Sequence, residues 1–212
     1  MTRIKIAIAM CAIACAGKSP RPAAHEALPM APESRGAAAF RAYTAERLHV
    51  SPGKIVGGRE DKHSHGSAQA YMMYDDHNGR RSARGWATTD GTIITPKQNL
   101  GILFVETGVW ARPPVITPDQ LANTLAEDIL WSYSQSDRLE KQPELALAPD
   151  GSGSLWIFSK SSSNAVDFDE QFVTDEGLGG GGGYSDCYFE INVVLTSDHK
   201  ASLTRKPVAP PP

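Results

Sequence analysis

The stretch that most constrains the fold is Thr117-Pro118-Asp119-Gln120 together with the run that continues from it to Tyr133. Thr117 suits an N-cap. Pro118 falls in the first helical turn, where its missing N–H is no loss, and Gln120 stands at the capping-box position. Leu121, Leu125, Ile129 and Tyr133 recur at every fourth residue, backed by Ala122, Ala126 and Leu130. A stripe of this kind has to be buried against another layer. The pattern predicts one long helix over about 117–139, ending before Pro143.

The flanking sequence supplies the other layer. Between Ser67 and Ala111, branched and aromatic residues are punctuated by turn pairs, Asn78-Gly79 and Asp90-Gly91, of the kind favoured in tight hairpins. AQAYMMYDD, ARGW, TIIT and LGILFVETGVW read as a meander of three or four antiparallel strands. Beyond the helix, ELALAP and LWIFSK flank the turn DGSGS, and SDCYFEINVVLTS reads as a last strong strand. Strands, a long helix and strands again predict an α+β fold: an antiparallel sheet with the long helix on one face. A shorter N-terminal helix is expected from Ser34 as cap to His49, weakened by Gly36 and closed by Pro52-Gly53. No repeat of 20–50 residues is visible. The expected folded domain spans 34–204, followed by a disordered Pro-rich tail, 205–212.

Hydrophobic residues make up 41% and charged residues 21%, enough apolar material for a buried core. The formal charge of −3 argues against a nucleic-acid partner, because such binding needs clustered Lys and Arg to displace counterions from phosphates.

The first residues, MTRIKIAIAMCAIACAGKSP, have the layout of a targeting segment: Arg3 and Lys5, a short apolar run from Ile6 to Ala14, then small residues. The apolar run is too short to span a bilayer, and no later apolar run is long enough either. Ala12-Ile13-Ala14-Cys15 resembles the lipobox of bacterial lipoproteins, with Ala12 where Leu is commonest. The resemblance implies a signal peptide over 1–14, diacylation of the Cys15 thiol, cleavage before it and acylation of the new amine. It also implies a protein held at the membrane through a lipid anchor. Ala16, rather than Asp, follows the Cys, which in a Gram-negative cell favours the outer membrane. The competing reading is cleavage after Ala14-Cys15-Ala16, releasing a secreted or periplasmic soluble protein. Residues 15–33, rich in Pro and Ala, read as an extended tether. Of Cys11, Cys15 and Cys187 only the last lies in the body of the chain, so no disulfide framework is expected.

Candidate chemistry is sparse. Lys54-Ile55-Val56-Gly57-Gly58 resembles the activation site of chymotrypsin-like protease zymogens, but the motifs that carry that family's nucleophile and general base are missing, and the remaining chain is too short for two β-barrels. Gly57-Gly58 is expected in a loop or bulge instead. Gly177 to Gly182 formally satisfies G-x-G-x-x-G, yet acidic residues precede it and a strand follows. It reads as a linker, and no cofactor is expected. His63-Ser64-His65 near Asp61, and Asp75-Asp76-His77, offer a speculative metal set of His63, His65 and His77, with no third ligand fixed by spacing. A solvated polar loop is the competing reading. Cys187 has no His at a diagnostic spacing, and the acidic residues Asp167, Asp169, Glu170, Asp175 and Glu176 do not follow the EF-hand order. Trp86, Trp110, Trp131 and Trp156 are expected mostly in the core, with one or two on a sheet face for a ligand or partner.

Together these features predict an exported, lipid-anchored envelope protein whose domain binds an envelope partner or serves a structural role. The alternative is a secreted or periplasmic hydrolase using surface His and acidic residues, possibly with a metal. A hydrolase would gather His63, His65, His77, Asp75 and Asp76 in one concave pocket; a binding module would scatter them.

Overall fold

The computed structural model describes residues 33–77, 82–111, 116–133, 137–161 and 187–210. They belong to the compact unit Glu33–Pro212. The expected signal peptide, Cys15 and the expected tether up to Pro32 lie outside the described residues. So do Asn78-Gly79, the acidic run at 167–176 and the glycines at 177–182.

The fold is α+β, with two antiparallel sheets and three α-helices among the described residues. Helix α1, Arg35–Leu48, starts at Ser34, whose hydroxyl accepts the Ala37 N–H at 3.2 Å. It ends at His49 in the left-handed region (φ 56°), with the Val50 N–H closing onto the Ala45 carbonyl. The first sheet has the order β1 (Ile55–Arg59), β2 (Gln69–Asp75), β3 (Ser82–Ala87), β4 (Ile93–Ile94). Phe40, Ala45 and Leu48 of α1 pack on Ile55, Tyr71, Met73, Ala83 and Ala87 of this sheet, forming one of two cores. Gly36 is what lets α1 come this close, because a Cβ there would stand 2.7 Å from the Thr88 carbonyl oxygen.

Gly57 and Gly58 lie within strand β1 rather than in a loop or bulge. Gly57 adopts φ +125°, and a Cβ on it would run into the Met72 carbonyl of the neighbouring strand.

The segment LGILFVETGVW was expected as a strand. Leu100–Glu106 is instead helix α2, entered through Asn99 in the left-handed region. A run this uniformly apolar shows no period, so its pattern cannot tell a strand from a short buried helix. Its burial does: Leu100, Leu103 and Phe104 are covered, the i, i+3, i+4 spacing of a helix.

Helix α3 is Pro118–Tyr133, capped as its sequence requires. The Gln120 N–H donates to Thr117 Oγ1 at 3.3 Å, and the Thr117 N–H to Gln120 Oε1 at 3.1 Å. It ends earlier than predicted, since Asp137–Leu139 forms strand β5. Leu121, Leu125 and Ile129 are buried in the second core with Trp86, Phe104, Leu155, Ile157, Ile191 and Val193. Burial of each such side chain contributes about 1.5–3 kcal/mol. Helix α3 thereby touches β3 of the first sheet and β5, β6 (Glu144–Leu147) and β7 (Gly153–Ser161) of the second.

In the second sheet β5 and β6 pair successive parts of β7, which pairs β8 (Cys187–Leu195), which pairs β9 (Ala201–Val208). Strand β9 corrects the expected tail. Arg205 to Val208 continue the ladder opposite Tyr188 to Ile191. Proline is tolerated there because β9 is an edge strand, where a missing N–H need not break an internal ladder. Pro content therefore misreads as disorder what is a protected sheet edge.

Candidate functional site

The cluster richest in chemistry forms where the loop between β1 and β2 meets α3. A 3₁₀ turn, Asp61–His63, runs into a tight bridge in which His65 and Ala68 exchange backbone hydrogen bonds at 2.9 and 2.8 Å. Ser64 fixes the start of this loop, donating to the Glu60 carbonyl and accepting the Ala70 N–H. Glu106 of α2 fixes its far end, accepting from the Ser67 N–H at 2.9 Å and the Ser67 hydroxyl at 2.7 Å. A segment that reads as solvated loop is pinned at both ends.

Between those pins the loop delivers two imidazoles to one carboxylate. Asp128, only 2% exposed, holds His63 Nδ1 at 2.9 Å from one oxygen and His65 Nε2 at 2.7 Å from the other. A carboxylate only accepts, so His63 carries its proton on Nδ1 and His65 on Nε2. The His63 ring stacks on Trp131 (centroids 4.6 Å apart, planes 17° apart), and Trp86 donates its indole N–H to the His63 carbonyl at 2.7 Å. Asp128 and Trp131 stand three residues apart on α3 and so share a face, which is why one helix grips both the edge and the plane of His63.

Beside His63 opens a cleft of about 380 Å³. Lys62 and His63 line it from the loop, Glu127, Leu130 and Trp131 from α3, and Asp137, Arg138 and Leu139 from β5. The Glu140 N–H donates to the Phe158 carbonyl, so the paired residues Arg138 and Lys160 are a bonded pair of the ladder. Bonded and unbonded pairs alternate, which turns the backbone groups of Asp137 and Leu139 away from β7, toward the edge that no described strand pairs.

Behind the cleft, Asp137 (side chain 1% exposed) pairs with Arg205 of β9 at 2.6 Å. The guanidinium is held between the rings of Tyr133 and Phe189, 4.4 and 4.0 Å from their centroids. Burial pushes the Asp137 carboxyl above the usual carboxylate range, against the opposing pull of Arg205 and a hydrogen bond from Ser161. Burial also pushes the Tyr133 phenol up to about 12.

The other predicted residues lie elsewhere. Asp75 is buried and accepts the His77 N–H at 3.0 Å, and His77 Nε2 stands 3.5 Å from Lys54 Nζ. The Asp76 N–H bonds to the Lys54 carbonyl. His77 is thus at the opposite end of the β1–β2 pair from His63 and His65, and the three do not assemble. Among the described residues no group of three or more His, Cys, Asp or Glu could hold a metal ion. Asp61 pairs with Arg59 in solvent. Cys187, half-buried, opens β8.

Of the tryptophans, Trp86 is core and Trp110 donates to the Gly151 carbonyl at 2.8 Å. Trp156 alternates with the buried Leu155 and Ile157 on β7. It therefore lies on the sheet face away from α3, in a row with Phe158 and Tyr188 whose ring centroids are 6.0 Å apart at each step. Lys141 and Lys160 ammonium groups already sit over the Phe158 and Tyr188 rings. A second cavity, about 440 Å³, lies between the start of α1 and strands β1 and β2. Its arginines are committed: Arg41 to Glu33 and the Ile55 carbonyl, Arg59 to Asp61.

Asp128, Glu106, Asp137 and Arg205 are among the residues that sequence reading missed. Asp128 did leave a signal: seven positions after Leu121 and three after Leu125, it falls on the apolar face of its own helix. A carboxylate there has to find buried partners.

No protein-family model, curated protein or solved structure matches the chain. Among the described residues no helix is long and apolar enough to cross a membrane.

Proposed function

We propose that this is an exported envelope protein, lipid-anchored at Cys15, whose folded unit is a binding module with its ligand site in the cleft beside His63 and Trp131. The leader and the lipobox-like Ala12-Ile13-Ala14-Cys15 support export and anchoring. The binding reading is carried by one observation: a cleft of about 380 Å³ opens beside a Trp131 ring that is held in place by its stack on His63. The nearby Ser64 and Ser67 hydroxyls are committed to Glu60 and Glu106. The histidines build a rigid wall, and among the described residues no hydroxyl or thiol is hydrogen-bonded to His63 as a nucleophile would be. A cleft of this size with a few fixed polar groups and an aromatic wall is the usual form of a small-ligand site.

Anchoring and binding are tested separately. Mass spectrometry of the mature amino terminus, with Cys15→Ala as control, should find an acylated Cys15; an unmodified start at Gly17 would leave a soluble secreted protein instead. A fragment set screened by NMR should shift the Trp131 indole and His63 resonances together; no such response at millimolar concentrations would end the binding reading. Hydrolysis of p-nitrophenyl acetate that disappears in His63→Gln would support the hydrolase alternative, for which the His63–Asp128 bond, an orienting carboxylate behind an imidazole, is the favouring feature.

A further inference from the structure

Resting on the binding reading, we infer that the cleft takes an extended peptide segment, which adds as a strand to the edge of β5 and lodges one apolar side chain against Leu130, Trp131 and Leu139. The backbone of β5 carries this. By the alternation of the β5–β7 ladder, the N–H and C=O groups of Asp137 and Leu139 point away from β7. No described strand pairs that edge, and among the described residues no hydrogen bond reaches these groups. The Asp137 side chain is 1% exposed while the residue as a whole is half-buried, so what Asp137 shows to the cleft is main chain. The edge presents two donor–acceptor pairs two residues apart, about 7 Å along the strand, which is the repeat of an extended chain. A ligand that answers both needs N–H and C=O groups at that spacing, and a peptide backbone has them.

The charges around the cleft do not compete with this. Lys62 and Glu127 stand 3.4 Å apart and offset each other, and Asp137 is bound to Arg205. Arg138, opposite Lys160, turns its side chain to the sheet face away from α3. Beside the edge the cleft is apolar: Leu130, Leu139 and the Trp131 ring, which is held by its stack on His63 and its edge contact with Trp86, 5.5 Å between centroids. Main-chain bonds along an edge and a pocket for a side chain are the two parts of strand-addition recognition. The opposite edge of the sheet refuses such a partner. The Thr196 N–H donates to the Lys200 carbonyl, so the same alternation turns the Pro207 nitrogen, which has no hydrogen, to the outer side of β9. No proline stands in β5.

The test is titration of the full chain carrying Cys15→Ala, read by NMR and calorimetry, with capped pentapeptides Thr-Thr-X-Thr-Thr in which X is Phe, Leu or Ala. The Phe and Leu peptides are expected to bind about tenfold tighter than the Ala peptide, and to shift the Asp137 and Leu139 amides together with the Trp131 indole. Two N-methylated forms of the Phe peptide, one blocked at Phe and one at the residue before it, decide the mode. Neighbouring N–H groups of a strand point to opposite edges, so one form should lose about tenfold or more and the other stay within about threefold. Equal loss in both, no loss in either, or binding that leaves the Asp137 and Leu139 amides unmoved overturns the strand inference while the binding reading stands. Hydrogen-exchange protection of these two amides in the free monomer would show the edge filled by the chain itself, and protection that appears only as a dimer forms would give it to a second copy; either overturns the inference. If none of the peptides binds at millimolar concentrations, the strand inference is also overturned, and the fragment screen judges the binding reading on its own.

Discussion

At the scale of single residues, the molecule concentrates its consequences in a few buried charges. Asp128 satisfies two imidazoles that were drawn out of water with it. Asp128→Ala strands both, and hydrogen bonds to a charged group contribute about 1.5–3 kcal/mol each, so a loss on the order of 3 kcal/mol is expected in urea denaturation. His65→Ala, which removes only the more exposed partner, should cost roughly a third of that. Tyr133 gives the pH signature. Its phenol, ordinarily near 10.0, is held up to about 12 by burial, so the folded state keeps the proton longer than the unfolded chain. Its contribution to stability is whole below the unfolded value and is lost as pH rises through the folded one. Wild type should therefore lose stability between about 10 and 12 in a component that Tyr133→Phe lacks, read from denaturation midpoints across that range.

At the scale of elements, position outweighs propensity. Gly36 lies in the first turn of α1, where replacing Gly by Ala ordinarily gains up to about 1 kcal/mol. Here the added carbon would meet the Thr88 carbonyl oxygen at 2.7 Å, and backbone cannot yield as a flexible side chain would. Gly36→Ala is expected to destabilise by about 1–3 kcal/mol despite the better helix former. An unchanged or raised thermal midpoint would show that α1 can lift off the first sheet without cost. The same logic separates the two helices that sequence reading treated differently. Helix α3 announces itself through a capping box and a four-residue period. Helix α2 is apolar at nearly every position, and its shape is settled by neighbours such as the β8–β9 turn, whose His199 carbonyl a Cβ on Gly101 would strike.

At the scale of the whole molecule, the C-terminal strand ties the second sheet to the cleft. Arg205 on β9 neutralises Asp137 on β5, across two intervening strands. Truncation after Thr204 looks harmless if 205–212 is taken for a Pro-rich tail. It is expected to cost about 3–5 kcal/mol, the usual loss when one member of a buried ion pair is removed. Arg205→Ala alone should reproduce most of that loss in equilibrium unfolding. If the truncated chain unfolds at the wild-type denaturant concentration, β9 is an ornament of the sheet rather than a part of it.

The sequence by itself determined what depends on neighbours along the chain: the caps of α1 and α3, the stripe on α3, the β6–β7 hairpin and the α+β class. These follow from local hydrogen bonding and from burial with a fixed period. Only the tertiary structure decided that the sheet is two sheets, that Leu100–Glu106 is helix, that Arg205 to Val208 is strand, and that His63 and His65 share Asp128 while His77 does not. Each of those outcomes rests on partners far apart in sequence, and no pattern of spacing encodes which of several equivalent carboxylates a histidine will meet. The reason is physical: a buried charge is located by where its counterpart can reach it in space.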